Sequence, residues 1–204
     1  MAKGTNALTP DPEPEKTLMG KVTQAILHVI STVPDSDERI EKNPKERAQS
    51  LITTASMKAA GVAGVLALPP GPLGLLTVIP DLVTIWHIQR QLVADIAMVY
   101  GKSRVLGPEV MLWCLFKHGG AQAVNQLLIK AGEKLLVRRT TLKGLQQIAG
   151  KIGIRVTQKL LGRGLSRFLL VLGAGIMAYI AYSDTTSIGA TCIETFEKEI
   201  EIED

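Results

Sequence analysis

His87, Gln91 and Asp95 recur every four residues, so on a helix they fall along one stripe. An imidazole, a carboxamide and a carboxylate in one row, with Asp81 upstream, are the groups of a small polar site. In such a site His87 would act as an acid or base, or as a metal ligand beside Asp95. Two candidate ligands eight residues apart make a poor zinc site, because zinc takes three or four. No GxSxG nucleophile motif accompanies them, which weakens a lipid hydrolase built on His87, Asp95 and Asp81. The plainer reading is a polar stripe at the core's edge, with Asp81 as a cap and Arg90 paired to an acid. No catalytic residue, cofactor or metal is expected.

A second pattern is electrostatic. The chain carries +4 overall, but ten basic residues and a single acid lie between Lys130 and Arg167, about +9. The remainder is then about −5, with Glu194, Glu197, Glu199, Glu201, Glu203 and Asp204 crowded into an acidic tail. Lys151, Arg155, Lys159, Arg163 and Arg167 follow one another at intervals of four, with Lys143 in the same row eight before Lys151. Ile148, Ile152, Val156, Leu160, Leu161 and Leu165 supply an apolar side. That is a basic amphipathic helix, and an anionic membrane surface or lipid is the partner it suits. A solvated face that binds the acidic tail is the alternative. Nucleic acid is disfavoured, because the segment holds no aromatic residue before Phe168 to stack on bases.

The elements that position these residues read as helical. Hydrophobic residues make up 46% of the 204-residue chain but aromatics only 4%, so the core must come from Leu, Ile, Val and Ala, which favour helices. Leu18 to Val33 shows the spacing of one helical face. Asn43-Pro44 starts a helix running to about Leu68. The stretch Ala59 to Pro80 is 22 residues without a charge, yet Pro69, Pro70, Pro72 and Pro80 forbid a continuous span, since an interior proline costs about 3 kcal/mol. A helical hairpin turning at PPGP is expected, with its second arm broken or restarted near Pro80 and stopped at Gly101. Gly107-Pro108 opens a third helix, Val110 to about Ala131. The basic helix covers about 140–164. The apolar run Phe168 to Ser183 has 16 residues, short of the roughly 20 that cross a bilayer. It ends at Asp184, and a final helix leads from about Thr185 into the tail.

The expected architecture is therefore all-α: one compact multi-helix domain, residues 18–204, behind a polar disordered arm, 1–17. Cys114 and Cys192 belong to no CxxC or Cys/His cluster and read as buried reduced thiols. His28 and His118 read as isolated. Trp86, Trp113, Tyr179 and Tyr182 are either core residues or interfacial anchors. The absence of a secretory signal points to a cytoplasmic, reducing location.

The piece GPLGLLTVIPDLVTIWHIQRQLVADIAMVYG, Gly71 to Gly101, resembles the EcsC family of bacterial helical proteins. A Gly-x-Gly apolar helix followed by Tyr182, Asp184, Thr185, Ile188-Gly189 and Phe196 resembles the same family, and the likeness covers about Arg47 to Phe196. It implies a helical, non-enzymatic protein attached peripherally to the cytoplasmic face of the inner membrane, with no established catalytic residues. The alternative is a soluble helical module that binds a lipid or a partner helix in an apolar interior.

Overall fold

Apolar spacing decides the first helix of this computed structural model, which describes residues 14–66, 74–118, 122–164 and 169–203. Helix α1 spans Pro14–Ser31. Leu18, Val22, Ala25, Ile26, Val29 and Ile30 are all buried on it, the face that i, i+3, i+4 spacing marks. Of the expected arm, residues 14–17 form the first turn of α1, and residues 1–13 lie outside the described residues. Helix α2 (Pro44–Leu66) starts on proline, whose fixed φ suits a first turn, with Glu46 there against the helix dipole.

Helix α3 (Gly74–Val99) continues through Pro80 without the expected break, held over its later turns by packing on α2 and α6. The PPGP corner lies outside the described residues. Gly101, in the left-handed conformation at φ 67°, ends this segment as expected. Gly107 and Pro108 then open α4, Pro108–Phe116.

The third helix is less than half its expected length, ending at Phe116 rather than near Ala131. After α4 and a 3-10 turn at Gln122–Gln126, the chain forms strands β1 (Leu128–Ala131) and β2 (Lys134–Arg138). Gly132, at φ 64°, supplies the left-handed residue of the tight turn between them. Helix α5 (Leu142–Gly164) matches the expected basic helix. Helix α6 (Leu169–Phe196) runs unbroken past Asp184 and Thr185, joining what the sequence divided. Hydroxyls along it bond back one turn: Thr186 to the Tyr182 carbonyl, Ser187 to Ser183, Thr191 to Ser187 and Thr195 to Thr191. The Ser/Thr run thus satisfies its own polar groups inside the helix.

The acidic tail is a correction too. Residues Glu199–Glu203 form β3, parallel to β2, in a sheet of order β1-β2-β3. Six α-helices and this small sheet make up the described residues, a compact all-α domain with a β appendage. Among the described residues no helix is long and apolar enough to cross a membrane.

Helices α2 and α6 pack most extensively, through small residues. Ala59, Ala63 and Ala181 are buried together, and the Ser56 and Thr186 hydroxyls meet at 3.0 Å. Gly189 abuts Ile52: a Cβ built on it would overlap Ile52 Cγ1 and lie 2.6 Å from Cδ1. Gly189→Ala would gain about 1 kcal/mol of helix propensity but overpack by roughly 1–3 kcal/mol. The expected result is a lower urea midpoint with an unchanged slope. A raised midpoint would show that α2 and α6 are not in this contact.

Candidate functional site

The stripe on α3 is brought together only in part. Asp95 accepts hydrogen bonds from Ser36 Oγ (2.7 Å) and Gln91 Nε2 (2.9 Å), and Gln91 Nε2 also donates to the Asp35 carbonyl (2.9 Å). These two side chains tether the loop between α1 and α2. His87 instead faces the ring of His28, edge to face at 6.1 Å. Burial, then the charge of Arg90 and the neighbouring His28, push its pKa down. His87, Gln91 and Asp95 border one cleft between α2 and α3. Among the described residues Arg90 pairs with no acid. Its Nη1 donates to the Val29 carbonyl and Thr32 Oγ1 at the end of α1 (both 3.3 Å), a cation at a helix C-terminus. Asp81 sits inside α3 rather than at its start, and its side chain is outside what is described. Among the described residues no group of three His, Cys, Asp or Glu side chains could hold a metal.

The basic segment divides in two. Its first part lies on the hairpin, where the register sets Lys134 against Glu199 and Arg138 against Glu203. Lys134 pairs with Glu199 and Glu201, Arg138 with Glu203, and Lys130 and Lys117 both with Glu194 (2.8 and 2.9 Å). The glutamates of the acidic segment are therefore engaged by the hairpin, by Lys117 at the end of α4 and, for Glu197, by Lys45 of α2. Helix α5 keeps its own cations. Lys143, Lys151, Arg155 and Lys159 are exposed along it. Among the described residues no carboxylate pairs with Lys143, Lys151 or Arg155. Arg163 lies on α5 with its side chain outside the description, and Arg167 is outside the described residues. On its other face Leu145, Ile148, Ala149 and Ile152 are buried, α5 packs on α1, and the side chains of Leu160 and Leu161 lie outside the description.

A network that sequence reading missed lies where α3, α4 and α6 meet. His118 Nε2 sits 2.7 Å from Asp184 Oδ1, while Gln89 Nε2 donates to Asp184 Oδ2 and to Thr185 Oγ1 (both 3.1 Å). Gln89 is fully buried. His118 is thus paired and not isolated. No sequence signal could have joined residues 66 positions apart without an alignment. Beside this network opens a cavity of about 200 Å³ with Ile85, Trp86, Phe116, Val156, Met177 and Ala181 among its walls and Arg155, Lys159, His118 and Asp184 as its polar edge. Trp86 stacks edge to face on Phe116 at 5.7 Å.

Both tryptophans are core residues, each 4% exposed, with Trp113 Nε1 donating to Thr195 Oγ1 (3.2 Å). Tyr179 is 72% exposed and Tyr182 is 40%, so the tyrosines are not core. Cys114 and Cys192 are buried free thiols. Burial, reinforced by a hydrogen bond with Cys114, raises the Cys192 thiol well above its ordinary range, which removes it as a nucleophile at neutral pH. Among the described residues no hydroxyl or thiol lies within hydrogen-bond distance of His118.

The chain matches no family model, no curated protein and no solved structure.

Hydrogen bonds from Lys117 and Lys130 bring the Glu194 carboxyl down from the ordinary 4.5 to about 2. A depressed acid stabilises the fold fully above its unfolded value and loses that contribution as pH falls through the folded one. Glu194 is half exposed, so solvent screens much of the effect. The urea-midpoint gap between the native chain and Glu194→Gln is expected to hold above pH 5 and to close as pH falls toward 2. A gap constant from pH 7 to 2 would exclude the ion pairs as its source.

Proposed function

We propose that this protein is a non-enzymatic module that attaches peripherally to anionic membrane surfaces through the outer face of α5. The observation that carries the reading is the division of charge. Glu194, Glu199, Glu201 and Glu203 are occupied by Lys117, Lys130, Lys134 and Arg138, and Glu197 by Lys45, while Lys143, Lys151 and Arg155 of α5 are exposed and pair with no carboxylate among the described residues. Because Leu145, Ile148, Ala149 and Ile152 of α5 are buried and the helix packs on α1, attachment through its exposed cations is electrostatic and does not draw on these side chains. Each cation near an anionic leaflet contributes about 1 kcal/mol, and a Debye length of about 8 Å at physiological salt makes that contribution salt-sensitive. The exposed Tyr179 and Tyr182 on α6 are side chains suited to the headgroup layer. Peripheral attachment on the cytoplasmic side is also what the resemblance to the EcsC family implies.

Vesicles containing phosphatidylglycerol are expected to co-sediment the protein, and vesicles of phosphatidylcholine alone are not. Raising salt from 50 to 500 mM should release it. Lys143→Gln with Lys151→Gln removes two cations, about 2 kcal/mol or roughly 30-fold in partitioning. Equal sedimentation with neutral vesicles, or none with either, would defeat the reading. Tight binding to an RNA or DNA oligonucleotide without vesicle binding would reassign the face to nucleic acid.

A further inference from the structure

We infer that the cavity beside the His118–Asp184 pair is a binding site for an acidic single-chain amphiphile, an alkyl chain ending in a carboxylate or phosphate. The walls come from five helices and are mainly hydrocarbon: Ala63 of α2, Ile85 and Trp86 of α3, Phe116 of α4, Val156 of α5 and Met177 of α6 are among them. Such a surface recognises a tail. At about 200 Å³ the space falls below the 300–1,000 Å³ usual for drug-sized ligands, which suits one narrow chain and excludes a two-tailed lipid.

The polar edge specifies the head. Asp184, the one carboxylate on it, has both oxygens engaged, Oδ1 by His118 and Oδ2 by Gln89. Arg155 and Lys159 stand on the same rim, and no carboxylate among the described residues pairs with Arg155. A guanidinium offers a planar fork of donors matched to carboxylate and phosphate oxygens. The rim is therefore complementary to an anion, and the interior to hydrocarbon. Val156 and Arg155 are neighbours on α5, so head and tail meet the same helix at adjacent positions.

The inference goes beyond surface attachment and does not depend on it, because the ligand is tested in solution without vesicles. Dodecanoate and dodecyl phosphate, each below its micelle concentration, are titrated into the 204-residue chain by calorimetry, with tryptophan emission as a second readout through Trp86. Saturable one-to-one binding is expected, and comparison of the two identifies the preferred head. Over the series hexanoate, octanoate and decanoate, affinity should rise about fourfold per added methylene until the cavity is filled, from about 0.8 kcal/mol per buried methylene. Arg155→Gln should weaken dodecanoate about tenfold and leave dodecanol unchanged. Met177→Trp should remove binding of both, with the urea midpoint confirming that the variant folds. Lys143→Gln with Lys151→Gln should lose vesicles and keep dodecanoate, which separates failure of one proposal from failure of the other. Absence of saturable binding by both acidic ligands would overturn the inference. So would equal affinity for dodecanol and dodecanoate, or binding unchanged in both Arg155→Gln and a folded Met177→Trp.

Discussion

Helix α4 is apolar around its whole circumference, and the rest of the molecule is arranged to accommodate that. Glu109 through Phe116 are all buried, so no side of this helix can face water. It touches α1, α3, α6, the 3-10 turn that follows it and both strands of the hairpin. Its one charged residue, Glu109, accepts the Thr140 backbone N–H at 3.1 Å, which satisfies the carboxylate just where the chain leaves β2 and enters α5. The hairpin and α5 are therefore positioned from the centre outward. The cavity lies at one end of this arrangement, where Leu115 and Phe116 finish α4 and their neighbours do not close completely.

The distribution of charge follows from that geometry. β2 alternates Leu135 and Val137 inward with Lys134 and Arg138 outward, and β3 alternates Ile200 inward with glutamates outward. Pairing them in parallel register makes the burial of isoleucine and the pairing of charges one event. An isolated surface ion pair contributes little, but a ladder of them in fixed register selects a partner strand. The acids select the hairpin and leave α5 as the cationic side of the molecule.

Much of the fold was legible in the sequence and the candidate site was legible only in fragments. α1, α2, α4's start and α5 follow from apolar period, proline at a first turn and glycine at a stop. The sheet was misread because each strand is only four or five residues long. Leu128–Ala131 looks like the continuation of an apolar helix, although the Glu-Ile-Glu-Ile-Glu alternation of residues 199–203 carried a period-two signal. The break expected at Asp184 was wrong because Asp184 finds partners on α3 and at the end of α4, information that no local window contains. The row of cations on α5 was visible from spacing alone. The acids that those cations do not meet, and the cavity next to Arg155, depend on contacts between residues tens of positions apart.

The register of β2 against β3 also orders events in time. Lys134 lies opposite Glu199, and between them stand all of α5 and α6. Local helices form on the microsecond scale, whereas pairing across so long a loop waits on the search that brings distant segments together. During synthesis the hairpin must remain with its β2 edge open, Lys134 and Arg138 without their glutamates, until residues 199–203 have emerged. A product that stops before residue 199 has no β3, so its β2 edge stays open however well its helices have formed.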